Sequence, residues 1–157
     1  MSIWKKITAL GLKKLAGTKN LGTEVFENLI KVVPQIAIEA LVVDNLDHPA
    51  KILLVWREDA HYRAWHITGG FIRFGEMPED RLKQVIQNEL GVGVKRYRDT
   101  GLKHTLIDAR GHAIGLVYLV ELENENVKEG QWHGKIPNVT IARHKELISQ
   151  TLGWNQN

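Results

Sequence analysis

The chain of 157 residues contains no cysteine and only four prolines. Without thiols there can be no disulfide and no thiolate metal site, which favours an intracellular, cytoplasmic setting. No stretch approaches the ~18 consecutive apolar residues that a membrane-crossing helix requires, so no transmembrane segment is expected. Acid is missing from the start of the chain: Lys5, Lys6, Lys13, Lys14 and Lys19 all precede the first carboxylate, Glu24. Removing those five charges from the net +3 leaves the rest of the chain at −2. The basic balance therefore belongs to the N-terminus, and no nucleic-acid partner is expected.

What is present suits one globular domain with a helical attachment. Hydrophobic residues make up 43% of the chain, enough for a self-supporting core. Ile3, Trp4, Ile7, Leu10 and Leu15 form one helical stripe beside lysines within residues 1–19, and Gly17 is a plausible stop. A second helix is expected with Thr23 as its cap, Phe26, Leu29, Ile30 and Val33 at helical spacing, and Pro34 ending it. Residues 1–33 thus read as a helical N-terminal extension and 34–157 as the main domain. The extension can pack on its own domain, join two copies as a homodimer, or lie on a membrane surface.

From Gln35 the period changes to that of strands. Residues 35–43 (QIAIEALVV) and 51–56 (KILLVW) flank a turn built from Asn45, Asp47, His48 and Pro49. Residues 77–90 read as a helix, and 94–107 and 113–122 as strands meeting around Asp108–Gly111. A long loop, 123–137, carries Gly130, Gln131, Trp132 and His133, and a closing helix spans about 143–152. The fold class is α/β (α+β), a mixed sheet between helical layers.

The chemistry concentrates in residues 65–92, WHITGGFIRFGEMPEDRLKQVIQNELGV. Gly69 and Gly70 lack Cβ atoms and allow close approach of a ligand to the backbone. Pro78 suits an early helical position, and Glu79 and Asp80 suit a first turn. With Leu82 at zero on a helical wheel, Val85 falls at about 300°, Ile86 at about 40° and Leu90 at about 80°. Glu89 falls at about 340°, inside the apolar stripe. A carboxylate there must be paired, hydrogen-bonded or metal-bound. Arg57, Arg73 and Arg81 are the candidate partners if it is a structural salt bridge.

This stretch resembles the Nudix box of the Nudix hydrolases: G, five residues, E, seven residues, then R-E-U-x-E-E-x-G-U with U apolar. Gly70, Glu76, Ile86, Glu89, Gly91 and Val92 match at the correct spacing, and the resemblance covers about residues 35–152. It implies a Nudix-type α/β/α sandwich. Gln84, Val85 and Asn88 stand where the pattern has Arg, Glu and Glu. The pattern left is closest to the GDP-mannose mannosyl hydrolase branch, which uses one magnesium ion and cuts at the sugar carbon. That resemblance implies one ion, magnesium or manganese, held by the Gly69 carbonyl, Glu89 and Gln131, with Glu89 and His133 catalytic. Arg57 and Arg73 would contact phosphate, and Phe71 and Tyr118 would stack on a base or sugar, although Tyr118 also suits a core position and His133 an idle loop. The expected function is hydrolysis of a nucleoside-diphosphate-linked small molecule such as a nucleotide sugar. The alternatives are a Nudix-fold nucleotide-binding module without catalysis and a purely structural or interaction role.

Overall fold

The computed structural model describes residues 2–18, 20–108 and 111–155. Lys19 and the centre of the turn expected at Asp108–Gly111 lie outside the described residues. The elements run α1 (Ile3–Leu15), α2 (Thr23–Leu29), β1 (Gln35–Val43), β2 (Ile52–Glu58), β3 (Arg63–His66), β4 (Thr68–Phe71), α3 (Pro78–Leu90), β5 (Val94–Asp108), β6 (Gly111–Leu122), β7 (Gln131–His133) and α4 (Ala142–Leu152).

The central strand is β1, whose residues from Ala37 to Val43 are all buried. It runs parallel to β6 along one edge. Its other edge is shared, with β4 antiparallel to its first half and β2 antiparallel to its last residues. β5 extends the sheet antiparallel to β6. The result is the expected mixed sheet. Its two faces carry separate apolar clusters. Ile38, Ala40 and Val42 pack with Leu82, Ile86 and Leu90 of α3, whereas Leu41 and Val43 pack with Leu147 and Ile148 of α4. Strand alternation explains the split, since successive β1 side chains point to opposite layers.

The short β7 corrects one expectation. Gln131 and His133 are not in a free loop: β7 pairs antiparallel with β2, placing His133 opposite Ile52 and Gln131 opposite Leu54.

The N-terminal extension divides in two. Thr23 is the first helical residue of α2 and not its cap, a position taken by Gly22 without a side-chain bond. The helix stops at Leu29 and a turn carries the chain to Pro34. This piece is seated on the domain: Ile30 is buried, Phe26 packs on Phe71, and the Ile30 carbonyl accepts from the His112 amide. α1 is different. It buries no residue, and Ile3, Trp4, Ile7 and Leu10 are each more than half exposed. Packing of α1 on its own domain is therefore not found. Deleting residues 2–18 should shift the urea unfolding free energy by no more than about 0.5 kcal/mol, since no core contact is lost. No helix among the described residues is long and apolar enough to cross a membrane.

Candidate functional site

The region starts at β4. Gly69 pairs with Glu39 of β1, and a Cβ on Gly69 would sit 2.7 Å from the Ile38 carbonyl oxygen. Only glycine admits this close approach of the two strands. From Phe71 the chain turns through Arg73–Glu76, where the Glu76 carboxylate accepts from the Arg73 amide at 2.8 Å and the Arg73 carbonyl accepts from the Glu76 amide at 3.0 Å. Pro78 then opens α3 with Glu79 and Asp80 in its first turn, and Gly91 closes it at φ 71°, donating to the Gln87 carbonyl. The box glycine and the box acid thus each have a local structural duty.

α3 carries Arg81, Val85 and Glu89 along the edge of its buried face, toward β4. A Cβ on Gly70 would lie 3.0 Å from both Arg81 Nη2 and Val85 Cγ2. Gly70 is therefore what makes room for the guanidinium. Burial pushes the Glu89 carboxyl up to about 7, although the Thr68 hydroxyl, the Gly69 amide and the Arg81 charge all favour its ionised form. None of these three groups bonds to Glu89 Oε2, which is buried and has no hydrogen-bond partner among the described residues. Thr68 Oγ1, Arg81 Nε and Arg81 Nη1 are buried in the same condition. Burial and the neighbouring Arg73 lower the Arg81 pKa, while Glu76 and Glu89 raise it. No ion pair closes between Arg81 and Glu89, so the expected structural salt bridge is not formed.

Orphaned buried donors and an orphaned acceptor on one wall are the mark of a binding site, because such groups are almost always satisfied. The set is one buried acid facing a guanidinium, a hydroxyl and an amide, with the Glu129 carboxylate near enough to raise its pKa further. Magnesium needs several hard oxygen ligands, usually anionic. Among the described residues no group of three or more His, Asp or Glu side chains is placed to hold a metal. Val85 puts an apolar side chain, and Arg81 a cation, beside the remaining carboxylate. This donor set does not fit the one-ion magnesium site implied by the sequence.

Of the expected site residues, Gly69, Glu89 and Arg73 come together, joined by Arg81. The others do not. In β7, Trp132 packs on the α3 cluster, whereas the ring of His133, next in the strand, meets Trp65 at 4.8 Å on the α4 side. Gln131 shares the His133 face by strand alternation. Both thus project away from the face that α3 covers, which removes the expected metal ligand and base from Glu89. The His133 pKa is lowered by burial alone, with no acid to raise it. Tyr118 is 2% exposed within the α3-side core, its ring against Tyr97. Phe71 meets Phe26 at 4.8 Å, so its ring serves to seat α2.

Arg57 belongs to a second polar cluster on the other side of Gly69. Its guanidinium pairs with Asp59 and lies over Tyr62, 5.1 Å from the ring centre. Arg143 lies over the same ring, and its Nη1 donates to the Tyr62 hydroxyl at 3.3 Å. Deeper, Glu39 and His144 are buried, with His144 Nε2 3.9 Å from Glu39 Oε2. The Ile67 amide donates to His144 Nδ1 at 3.3 Å, and Arg143 Nε donates to His144 Nε2 at 3.4 Å. Burial, with Arg143 and His66 nearby, holds its pKa well below the usual range. Sequence patterning gave no sign of this cluster: Glu39 interrupts an apolar strand and pairs with a residue more than a hundred positions away.

No family model and no curated protein matches the chain. Solved structures do. A MutT NUDIX hydrolase from Burkholderia pseudomallei is similar with TM-score 0.64 and 21% identity, over 75% of this chain and 98% of that one. A MutT/nudix family protein from Enterococcus faecalis gives TM-score 0.59 and 19% identity over 96% and 68%. The NUDIX domain of Shewanella oneidensis NrtR, solved with ADP ribose, gives 0.58 and 17% over 96% of both chains. At these identities the likeness establishes the fold: a mixed sheet between helices, arranged as in the Nudix hydrolases.

Proposed function

We propose that this is a member of the Nudix family whose box has been turned from hydrolysis to binding, and that it holds a nucleoside-diphosphate-linked small molecule against β4 and α3. One observation carries the reading: Glu89, the inward acid of the box, faces donors from Thr68, Gly69 and Arg81, and among the described residues no group of three or more acids or histidines is placed to hold a metal. Such a wall accepts the oxygens of a diphosphate better than it gathers metal ions. The ADP ribose bound by the NrtR domain, a similar fold over nearly the whole chain, supports a ligand of this class. A nucleotide sugar such as GDP-mannose has the same diphosphate and belongs in the same test. The exposed α1 is assigned to contact between two copies, and the full-length chain should therefore elute as a dimer and the chain lacking residues 2–18 as a monomer.

A second reading is favoured by the Glu89 carboxyl itself. A group titrating at about 7 is matched to proton transfer at neutral pH, so Glu89 suits a general base for slow turnover. The two are separated by thermal melts and product analysis on one panel: ADP-ribose, GDP-mannose and nucleoside triphosphates, with and without magnesium. Binding predicts stabilisation that rises with ligand concentration and intact ligand afterwards. Turnover that disappears in Glu89→Gln would replace the binding reading with the hydrolytic one.

A further inference from the structure

The donor set at Gly69–Gly70 disagrees with the metal that the box implies, and the disagreement has a pattern. We infer that Arg81 does the work of the missing cation: its guanidinium, held in the space left by Gly70, binds phosphate oxygens directly, so that the site takes its ligand without a metal ion. The inference rests on the binding reading above and adds the chemistry of recognition.

Three observations converge. Arg81 Nε and Nη1 are buried and meet no acceptor among the described residues, although an arginine placed for packing would keep its head in water. Arg81 also sits in the early part of α3, where the helix dipole is positive and a cation is disfavoured. Arg73 adds a further positive charge beside it. A cation kept under these conditions needs an anion, and Glu89 closes no ion pair with it. The second observation is steric. Gly70 leaves room for Nη2, and any Cβ there would press on it at 3.0 Å. The third is the replacement of a box acid by Val85, whose methyl group borders the same space. A divalent ion at this point would face a guanidinium at close range, and the nearby acids, Glu76, Glu89 and Glu129, are not grouped to hold it. A diphosphate would instead receive the planar pair of N–H donors that suits its oxygens. The Thr68 hydroxyl can donate to a third oxygen, and a protonated Glu89 can do the same.

The test uses the full chain, with ADP-ribose as probe and titration calorimetry as readout, in excess EDTA and again in magnesium. The wild-type protein should bind in both buffers with affinities within about threefold, and inorganic pyrophosphate should compete in EDTA. Arg81→Gln should weaken binding at least about tenfold, as expected for loss of charge-assisted hydrogen bonds, and Arg81→Lys should recover part of that loss. Arg81→Gln should melt at or above the wild-type temperature, because it removes an unsatisfied buried cation. Binding that appears only with magnesium would overturn the inference and leave the binding reading standing. Unchanged affinity in Arg81→Gln would do the same. No binding in either buffer would remove the reading itself.

Discussion

Replacing Glu89 with glutamine should make the ligand-free protein more stable at pH 8 and leave it nearly unchanged below about pH 4.5. Burial raises the folded-state carboxyl from its ordinary 4.5 to about 7. Between those values the unfolded chain has released the proton and the folded chain still holds it, so stability falls as pH rises and levels off above about 7. A shift of that size corresponds to roughly 3 kcal/mol at 1.36 kcal/mol per unit. Because the side chain is only partly shielded from solvent, the realised gain in Glu89→Gln is about 1–2 kcal/mol. Urea titrations at pH 4.5, 6 and 8 should show the difference between the two proteins growing with pH. A loss of stability at pH 8 would mean that Glu89 forms a structural ion pair with Arg81 after all.

The second large effect concerns the adjacent glycines, which should not respond alike. In Gly69→Ala the new methyl meets a backbone carbonyl of the central strand, Ile38, at 2.7 Å, and Glu39 Oε2 at 3.4 Å. Neither strand can withdraw without opening a ladder buried on both faces, so the expected loss is about 1–3 kcal/mol, as for overpacked cores. In Gly70→Ala the obstacles are side chains, Arg81 Nη2 and Val85 Cγ2 at 3.0 Å. These can move, so stability should change less. The displaced guanidinium should then weaken ADP-ribose binding by an amount comparable to Arg81→Gln. Equilibrium unfolding and calorimetry on the same pair of variants give both numbers.

The parts of the fold set by local periodicity were legible in the sequence. α3 and the inward face of Glu89 follow from a 3.6-residue repeat, and its limits from Pro78 and Gly91. β1, β2, β5 and β6 follow from β-branched runs. The errors arose where long-range contact decides. Three residues of β7 are a strand only because β2 offers an edge, and nothing local in Gln131–His133 announces it. That pairing turned His133 toward Trp65 and away from Glu89. Tyr118 lies in a strand buried on both faces, where alternation cannot distinguish a core ring from a ligand-facing one. α1 shows the converse: its amphipathic stripe is real, but helical patterning alone does not say what covers it. In the sequence Arg81 is one of three candidate partners for Glu89, and its importance depends on the missing Cβ of a glycine eleven positions earlier.

The proposed site, a Nudix-fold wall with one inward acid, binds a diphosphate without cutting it. Phosphorus NMR of ADP-ribose with a stoichiometric amount of protein in excess EDTA tests this most directly. The two diphosphate resonances should broaden and shift on mixing and persist unchanged in total intensity over a long incubation, before and after magnesium is added. New phosphate monoester resonances, or resonances that neither broaden nor shift before or after magnesium is added, would contradict it.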